Sequence, residues 1–208
     1  MKRKLCVVTG FDDKYHELAK ISIPNYLNYV NRHNLDLHIS TQNFNSNIHW
    51  GWNKYYIISK IISQYDWVVW IDIDCLFINK KVSLRDYIDD SYSLILGENK
   101  NPPFWYTEEK TYIENGVFLL KNDEYGKSML NLFMDGFIDH PWHDQYKMII
   151  ELRKNEWMKN KTKKLDLIKI NAIDDYKFKK EDMFIYHCSG GSSKTLQEKI
   201  QLLKYYNE

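Results

Sequence analysis

The chain has 208 residues, a length that fits one domain and allows a sizeable buried core. Its 29 basic and 28 acidic residues give a formal net charge of +1, which argues against nucleic acid as the main partner, because phosphate binding normally needs a clear basic excess. No apolar segment approaches the roughly 18 residues that a membrane-spanning helix needs, and the apolar run from Leu5 to Val8 is too short for a signal peptide. We therefore expect one cytoplasmic domain over residues 1–208.

The three cysteines are expected to be buried, reduced thiols. Cys6, Cys75 and Cys188 form no Cys-x-x-Cys pair, and their odd number prevents complete pairing in disulfides. A disulfide or a zinc site is therefore the weaker interpretation.

The first half of the chain alternates strands and helices. The run "KLCVV" predicts a buried strand that stops at Thr9 and Gly10, and "DWVVWI" is the near-continuous apolar run typical of a strand covered on both faces. The segments between them show helical spacing or strand-like alternation of apolar residues. In order, the predicted elements are a strand at 4–8, a helix at 14–33, a strand at 35–40, a helix at 52–64 and a strand at 66–71.

The second half predicts more strands, with helices between and after them. The segment "PPFW" (102–105) is predicted as a loop, and the basic stretch "KNKTKK" (159–164) as a solvated loop. The predicted elements are strands at 93–97 and 115–122, helices at 123–138 and 143–158, short strands at 165–170 and 183–187, and a last helix that starts near Thr195.

This order of elements predicts an α/β fold: a mostly parallel sheet with helices on both faces. In such sheets, ligands bind beyond the carboxyl ends of the strands. Asp72 and Asp74 follow the strand at 66–71 at one such end, so we expect the functional site there.

Asp72 and Asp74 are the first candidate site residues. In an extended chain, residues two apart point the same way, so the two carboxylates are expected to share a face. Such a pair repels unless one group is protonated or a cation lies between them. Oxygen ligands suit Mg²⁺, Mn²⁺ or Ca²⁺. A solvated surface pair is the alternative interpretation.

A D-x-D string after a hydrophobic strand also occurs in haloacid dehalogenase-like phosphatases. That family places the string on its first strand and usually follows it with Thr or Val. Here Cys75 and Leu76 follow, and two strands and two helices come before. The phosphatase hypothesis is therefore the weaker one.

Further polar candidates lie near other predicted strand ends and helix starts. "FIYHCSGGSSK" ends a strand with His187 and continues as a glycine-rich loop, where backbone N–H groups and Lys194 can approach an anion. His187 offers a nitrogen ligand, which favours Mn²⁺ over Mg²⁺. For each candidate the alternative is an ordinary turn, cap or core residue. The other candidates are Thr9, Asp12, Tyr15, Lys54, Asn115, Gly116, Asp144, Gln145 and Gly190.

Together these segments resemble a nucleotide-sugar glycosyltransferase of the GT-A fold. The chain is most similar to glycosyltransferase family 34, the galactosyl/xylosyl group, with features shared by family 8. The D-x-D string with its apolar flanks is the most specific match. The matching segments are "VVTG", "YLNYVNRHNLDL", "WNK", "DWVVWIDIDCLF", "NGVFLLKN", "HDQ" and "HCSGG".

The resemblance implies roles for these residues. Asp72, Asp74 and His187 would bind Mn²⁺ or Mg²⁺ on the donor diphosphate, with Asp72 also near the ribose. Lys194 and Gly190 would hold the diphosphate, although Lys194 comes one residue later than in the family 8 pattern H-x-x-G-x-x-K. The remaining assignments place the nucleotide near Thr9, Asp12, Tyr15 and Lys54, and the transferred sugar near Asn115, Asp144 and Gln145.

The activity implied is transfer of a hexose or pentose from a UDP-sugar to a glycan or another hydroxyl acceptor. Families 34 and 8 retain the anomeric configuration, so a donor phosphate oxygen can take the acceptor's proton. If the reaction inverts instead, Asp144 is the first candidate for the general base. A catalytically silent module that binds UDP or sugar is the other hypothesis.

Overall fold

A computed structural model of the chain describes residues 3–100, 112–173, 178–189 and 194–208. It has a six-stranded sheet with the strand order β2-β1-β3-β6-β5-β7 and a three-stranded sheet with the order β4-β9-β8. The strands are β1 Leu5–Gly10, β2 Asp36–Ser40, β3 Trp67–Ile71, β4 Cys75–Phe77, β5 Leu94–Asn99, β6 Tyr112–Lys121, β7 Thr162–Asp166, β8 Ala172–Ile173 and β9 Ile185–His187. The helices are α1 His16–His33, α2 Asn53–Ile61, α3 Glu124–Met134, α4 His143–Lys154, α5 Glu156–Asn160 and α6 Leu196–Asn207.

The large sheet confirms the predicted mostly parallel architecture. Strand β6 runs antiparallel to both of its neighbours, β3 and β5, whereas β1 is parallel to β2 and β3, and β5 is parallel to β7. Because β6 is reversed, its beginning meets the end of β3, where Ile71 pairs with Val117. Residues from the start of β6 therefore join those that follow β1 and β3 at one edge of the sheet.

Helices cover both faces of this sheet, as predicted. Along β1, Cys6 and Val8 pack with α2, α3 and α4, while Leu5 and Val7 pack with α1. The period-two alternation of a strand puts successive side chains on opposite faces, and both faces are apolar because both are covered. The continuous apolar runs seen in the sequence have this cause.

The small sheet changes the geometry expected for the aspartate pair. After β3 the chain turns, with Cys75 N–H donating to the carbonyl of Asp72 at 3.0 Å, and β4 begins at Cys75. Asp72 and Asp74 thus lie in a turn, and the prediction of an extended chain at this point is wrong. Strands β4 and β8 were not predicted, because two or three residues are too few to show a periodicity.

Several predicted boundaries also need correction. The helix predicted at 123–138 ends at Met134, and the one predicted at 143–158 is two helices separated at Asn155. The predicted loop at 159–164 contains the first three residues of β7, and the predicted strand at 165–170 ends at Asp166. This is an edge strand, where lysines are common because they protect the open edge. The predicted loop at 102–105 lies outside the described residues.

The last helix begins where the sequence predicted it. Thr195 caps α6, and its hydroxyl accepts from the N–H of Glu198, whose carboxylate accepts from the N–H of Thr195 in return. In the described ranges, every helix is too short or too polar to span a bilayer.

Candidate active site

A cleft of about 670 Å³ opens at the edge where β1 and β3 end and β6 begins. This volume lies in the range of small-molecule sites, roughly 300–1,000 Å³. The cleft brings together most of the residues predicted from the sequence. Those that line it are Asp12, Tyr15, Lys54, Asp72, Asp74, Asn115, Asp144, Gln145 and His187.

Three residues predicted to bind the nucleotide or its diphosphate are not among the described residues that line the cleft. Thr9 is fully buried in β1, and its neighbour Gly10 reaches the cleft instead. The ammonium of Lys194 donates to the carbonyl of Ser189 at 2.9 Å. Gly190 lies outside the described residues. The nucleotide or diphosphate roles of these three remain predictions.

Asp72 is held on the side of the large sheet. The indole N–H of Trp70 donates to its Oδ1 at 2.6 Å, and the Lys54 ammonium lies 3.3 Å from the same oxygen. The backbone turn is fixed as well, because the buried Tyr26 hydroxyl lies 2.7 Å from the Asp72 carbonyl and 2.9 Å from the Cys75 carbonyl. Burial raises the pKa of Asp72, and Lys54 partly opposes this shift.

Lys54 joins Asp72 to the helix start that carries Asp144. Its ammonium lies 2.8 Å from Asp144 Oδ2, and its side chain is only 4% exposed. Burial alone would lower the pKa of Lys54, but Asp144 and Asp72 raise it above its ordinary value. Lys54 is therefore a permanent cation between two carboxylates.

Asn115 and Gln145 complete this side of the cleft. The Asn115 amide donates to Asp144 Oδ2 at 2.6 Å, so that oxygen accepts from both Asn115 and Lys54. The Gln145 side-chain oxygen accepts from the backbone N–H of Asn115 at 3.4 Å, and its side-chain nitrogen donates to the Tyr112 hydroxyl at 2.5 Å. Three residues predicted on two separate elements, a strand and a helix, thus form one hydrogen-bonded group.

Asp74 is held on the side of the small sheet. Its Oδ1 lies 3.3 Å from His187 Nε2, and its Oδ2 lies 2.7 Å from the ammonium of Lys199. Burial works to raise the pKa of Asp74, but His187 and Lys199 outweigh it and hold the pKa well below its usual range. The sequence reasoning missed Lys199, because nothing in the local pattern of α6 distinguishes it from Lys204, the exposed lysine of the same helix.

The donor atoms near Asp74 suit a divalent cation. Within the described part of the chain, Asp74, Cys75 and His187 have ligand atoms within 4.8 Å of one another. Burial raises the pKa of the Cys75 thiol well above its ordinary value, so the carboxylate and the imidazole are the better ligands. His187 Nδ1 is buried and has no hydrogen-bond partner among the described residues. The residues present therefore fit a cation such as Mn²⁺ at Asp74 and His187, with Asp72 beside it.

Gly116 explains how His187 fits against β6. A Cβ at this position would lie 2.3 Å from His187 Cε1 and 2.6 Å from Nδ1, so the imidazole packs directly on the glycine backbone. From the sequence, Gly116 was a candidate site residue. The structure shows that it permits close approach of a site residue.

One rim of the cleft is aromatic and was not predicted. The rings of His49 and His143 are stacked with centroids 3.8 Å apart, and Trp50 and Trp142 line the cleft beside them. His143 has the left-handed backbone angle φ of 42° at the start of α4. The repeated His-Trp and Trp-His pairs are the only local signal that could have indicated this rim.

Comparison with known proteins identifies the relatives of the chain. The model of the galactosyl transferase GMA12/MNN10 family, glycosyltransferase family 34, matches residues 2–103. The chain is 25% identical to the probable alpha-1,6-mannosyltransferase MNN10 of Saccharomyces cerevisiae, over 74% of the chain and 47% of that protein. The chain thus spans about half the length of this curated relative. The family resemblance predicted from the sequence is confirmed.

Solved structures confirm the GT-A fold. A glycosyltransferase involved in the glycosylation of the major capsid of PBCV-1 superposes with a TM-score of 0.76 at 16% identity, over 97% of this chain and 99% of that one. A mutant Drosophila beta1,4-galactosyltransferase 7, in complex with manganese, UDP-Gal and xylobiose, superposes with a TM-score of 0.55 at 14% identity, over 98% of this chain and 80% of that one.

Proposed function

We propose that this chain, a relative of the galactosyl transferase GMA12/MNN10 family with the GT-A fold, is a metal-dependent glycosyltransferase. It moves a hexose or pentose from a UDP-sugar to a hydroxyl group of a glycan or another acceptor, with retention of configuration. The single domain over residues 1–208 carries this activity. One observation supports the proposal best: the turn that carries Asp72 and Asp74 lines the same cleft as His187, Lys54 and Asp144.

The charges of the cleft suit a nucleoside diphosphate. Asp12 and Tyr15, which follow β1, are candidates to bind the ribose and base, as the sequence suggested. Asp74 and His187 would hold the cation on the diphosphate, with Asp72 beside it. A bound divalent cation would supply Lewis acidity toward the diphosphate as it leaves. The buried ammonium of Lys54 keeps Asp72 and Asp144 from repelling the anionic donor.

The group of Asn115, Asp144 and Gln145 is the candidate site of the transferred sugar. In the proposed reaction the bond between the anomeric carbon and the diphosphate oxygen breaks, and a bond from that carbon to the acceptor oxygen forms. The acceptor's proton goes to a phosphate oxygen of the departing UDP. Because Asp144 Oδ2 already accepts from Asn115 and Lys54, this geometry favours an orienting role for Asp144 over that of a general base.

The relatives support this proposal and widen the set of donors to test. The Drosophila structure contains manganese and UDP-Gal, and the yeast relative is named as a mannosyltransferase. The test panel therefore includes galactose, glucose, xylose and mannose donors, with both uridine and guanosine nucleotides.

The first experiment is isothermal titration of UDP into the purified chain with and without Mn²⁺, followed by hydrolysis assays with the donor panel. We expect UDP to bind only with the metal and one donor to be hydrolysed slowly. Asp74→Ala should abolish metal-dependent binding. Lys147→Met is the matched control, because Lys147 is a buried lysine paired with Glu151 at 2.9 Å on α4 and is not among the cleft-lining residues.

Each outcome separates the hypotheses. Binding of UDP and metal without turnover of any donor, even with acceptors present, would identify a silent binding module. Phosphate release without nucleotide preference would favour the phosphatase. If no uridine nucleotide binds, the UDP-sugar proposal is wrong.

A further inference from the structure

Lys199 occupies an unusual position for a lysine. It lies on the first turns of α6, its side chain is 8% exposed, and its ammonium is 2.7 Å from Asp74 Oδ2. Lysine is rarely buried unless it is paired, because taking an ammonium out of water is costly. Lys199 also lines the cleft, so its ammonium borders the space in which a ligand would lie.

The contact with Lys199 conflicts with metal binding at Asp74. One Asp74 oxygen faces His187 Nε2 and the other faces the Lys199 ammonium. A divalent cation that binds Asp74 would therefore lie close to a buried positive charge. Two like charges at such a distance repel strongly where little water screens them.

We propose that Lys199 is an exchangeable counter-ion of Asp74. In the free protein it neutralises Asp74 and opposes the binding of a metal ion alone. When metal and nucleoside diphosphate bind together, the ammonium leaves Asp74 for a phosphate oxygen of the ligand. This inference rests on the proposed function, since it requires a diphosphate in the cleft.

The structure allows this exchange by movement of the side chain alone. Helix α6 is held in place by the capping box of Thr195 and Glu198 and by the buried Leu203. The flexible four-carbon stem of lysine can move its ammonium by a few ångströms while the helix stays fixed. Lys54 differs, because it bridges two carboxylates and would leave one of them unpaired if it moved.

The exchange makes a thermodynamic prediction. If the diphosphate draws Lys199 away from Asp74, it removes the charge that opposes the metal, and each ligand strengthens the binding of the other by the same factor. Part of this coupling comes from direct contact between metal and diphosphate. The part that depends on Lys199 disappears when its charge is removed.

The test is the affinity for Mn²⁺ alone, measured by titration calorimetry and by electron paramagnetic resonance of free Mn²⁺. For Lys199→Met, which keeps the length and removes the charge, we expect Mn²⁺ to bind roughly tenfold tighter than to the wild type. The factor by which UDP strengthens Mn²⁺ binding should fall by a similar amount. Lys199→Arg, which keeps the charge, should remain close to the wild type.

Two further variants keep the test decisive. Lys147→Met removes another buried, paired lysine and should leave Mn²⁺ affinity unchanged. Lys199→Gln is neutral and polar, and it serves if the methionine variant does not fold, as judged by circular dichroism. On the wild type itself, UDP must strengthen Mn²⁺ binding, and an absence of this coupling would overturn the inference.

The remaining outcomes distinguish the inference from the proposed function. If neutral variants bind Mn²⁺ no tighter than the wild type while UDP still binds with the metal, the counter-ion exchange is wrong and the proposed function stands. If UDP binds equally well in EDTA and Mn²⁺ never binds, Lys199 replaces the metal permanently and the exchange is also wrong. If UDP binds under no condition, the proposed function itself fails.

Discussion

The two aspartates of the turn are held by different parts of the molecule. Asp72 is bound by Trp70 and Lys54, which belong to β3 and α2 at the large sheet. Asp74 is bound by His187 and Lys199, which belong to β9 and α6 at the small sheet. Each carboxylate has one buried lysine, but Lys54 also holds Asp144, whereas Lys199 holds Asp74 alone.

Because of this difference, we expect Lys54 to be a structural cation and Lys199 to be a cation that can change its partner. Removing Lys54 leaves the buried Asp144 and the partly buried Asp72 without their cation, and these carboxylates lie on different elements. Removing Lys199 leaves Asp74 with His187 still beside it. The Asp72 side is therefore expected to be rigid and important for stability, and the Asp74 side to respond to ligands.

The largest expected effect is on stability. Lys54→Met should lower the free energy of unfolding by about 3–5 kcal/mol, the usual cost of breaking a buried ion pair from one side. Lys199→Met should cost less, about 1–3 kcal/mol, because Asp74 keeps His187. Urea denaturation at neutral pH measures both values. Equal losses, or a larger loss for Lys199, would contradict the comparison.

The next effect concerns the packing of His187. Gly116→Ala places a Cβ where the imidazole now lies, so His187 must leave the position in which its Nε2 faces Asp74. We expect the affinity for Mn²⁺ in the presence of UDP to fall by about 10–100-fold, as for other changes that misplace a metal ligand. The same titration on His187→Ala provides the reference. If affinity is unchanged in Gly116→Ala, the position of His187 on Gly116 does not matter for the metal.

A smaller effect is expected at Tyr26, whose hydroxyl contacts the backbone of the turn that carries both Asp72 and Asp74. Tyr26→Phe removes the hydroxyl that contacts the carbonyls of Asp72 and Cys75, and this should cost about 1 kcal/mol of unfolding free energy. It should also weaken metal-dependent UDP binding. Tyr29→Phe is the control, because the Tyr29 hydroxyl bonds Leu84 and Val82, outside the turn. Equal UDP affinities in the two variants would show that the Tyr26 hydroxyl is not needed to hold the turn for UDP binding.

The smallest effect concerns the reactivity of the cysteines. All three are buried and form no disulfide, with Cys6 in the large sheet and Cys75 and Cys188 beside Asp74. Burial raises the pKa of Cys6 from its ordinary value of 9.0 to about 11. Because the folded pKa is the higher one, the stabilisation from the neutral thiol is complete below pH 9.0 and is lost as the pH rises toward about 11.

Alkylation followed by mass spectrometry tests this expectation. We expect the small sheet to open more readily than the large one, so at neutral pH Cys75 and Cys188 should be alkylated sooner than Cys6. Binding of UDP with Mn²⁺ should slow the alkylation of Cys75 and Cys188. Faster reaction at Cys6 would show that the large sheet is the less stable part.

The sequence by itself determined most of the large sheet and the Asp72 side of the site. Long apolar runs such as 66–71 and helical spacing over 14–33 are local signals, and residues that follow parallel strands must meet at one edge. For this reason Lys54 and Asp72 could be expected at one edge, whereas Asn115 reaches them because β6 runs antiparallel to β3. The structure brings these residues and Asp144 into one network of hydrogen bonds and ion pairs.

Only the tertiary structure decided the Asp74 side. Strands β4 and β8 have two or three residues, and they form because partners distant in the chain complete them. Lys199 follows Asp74 by 125 residues, and its sequence neighbourhood is that of an ordinary polar helix. A buried ion pair depends on which charges the fold brings together, and a local pattern of residues does not contain that information.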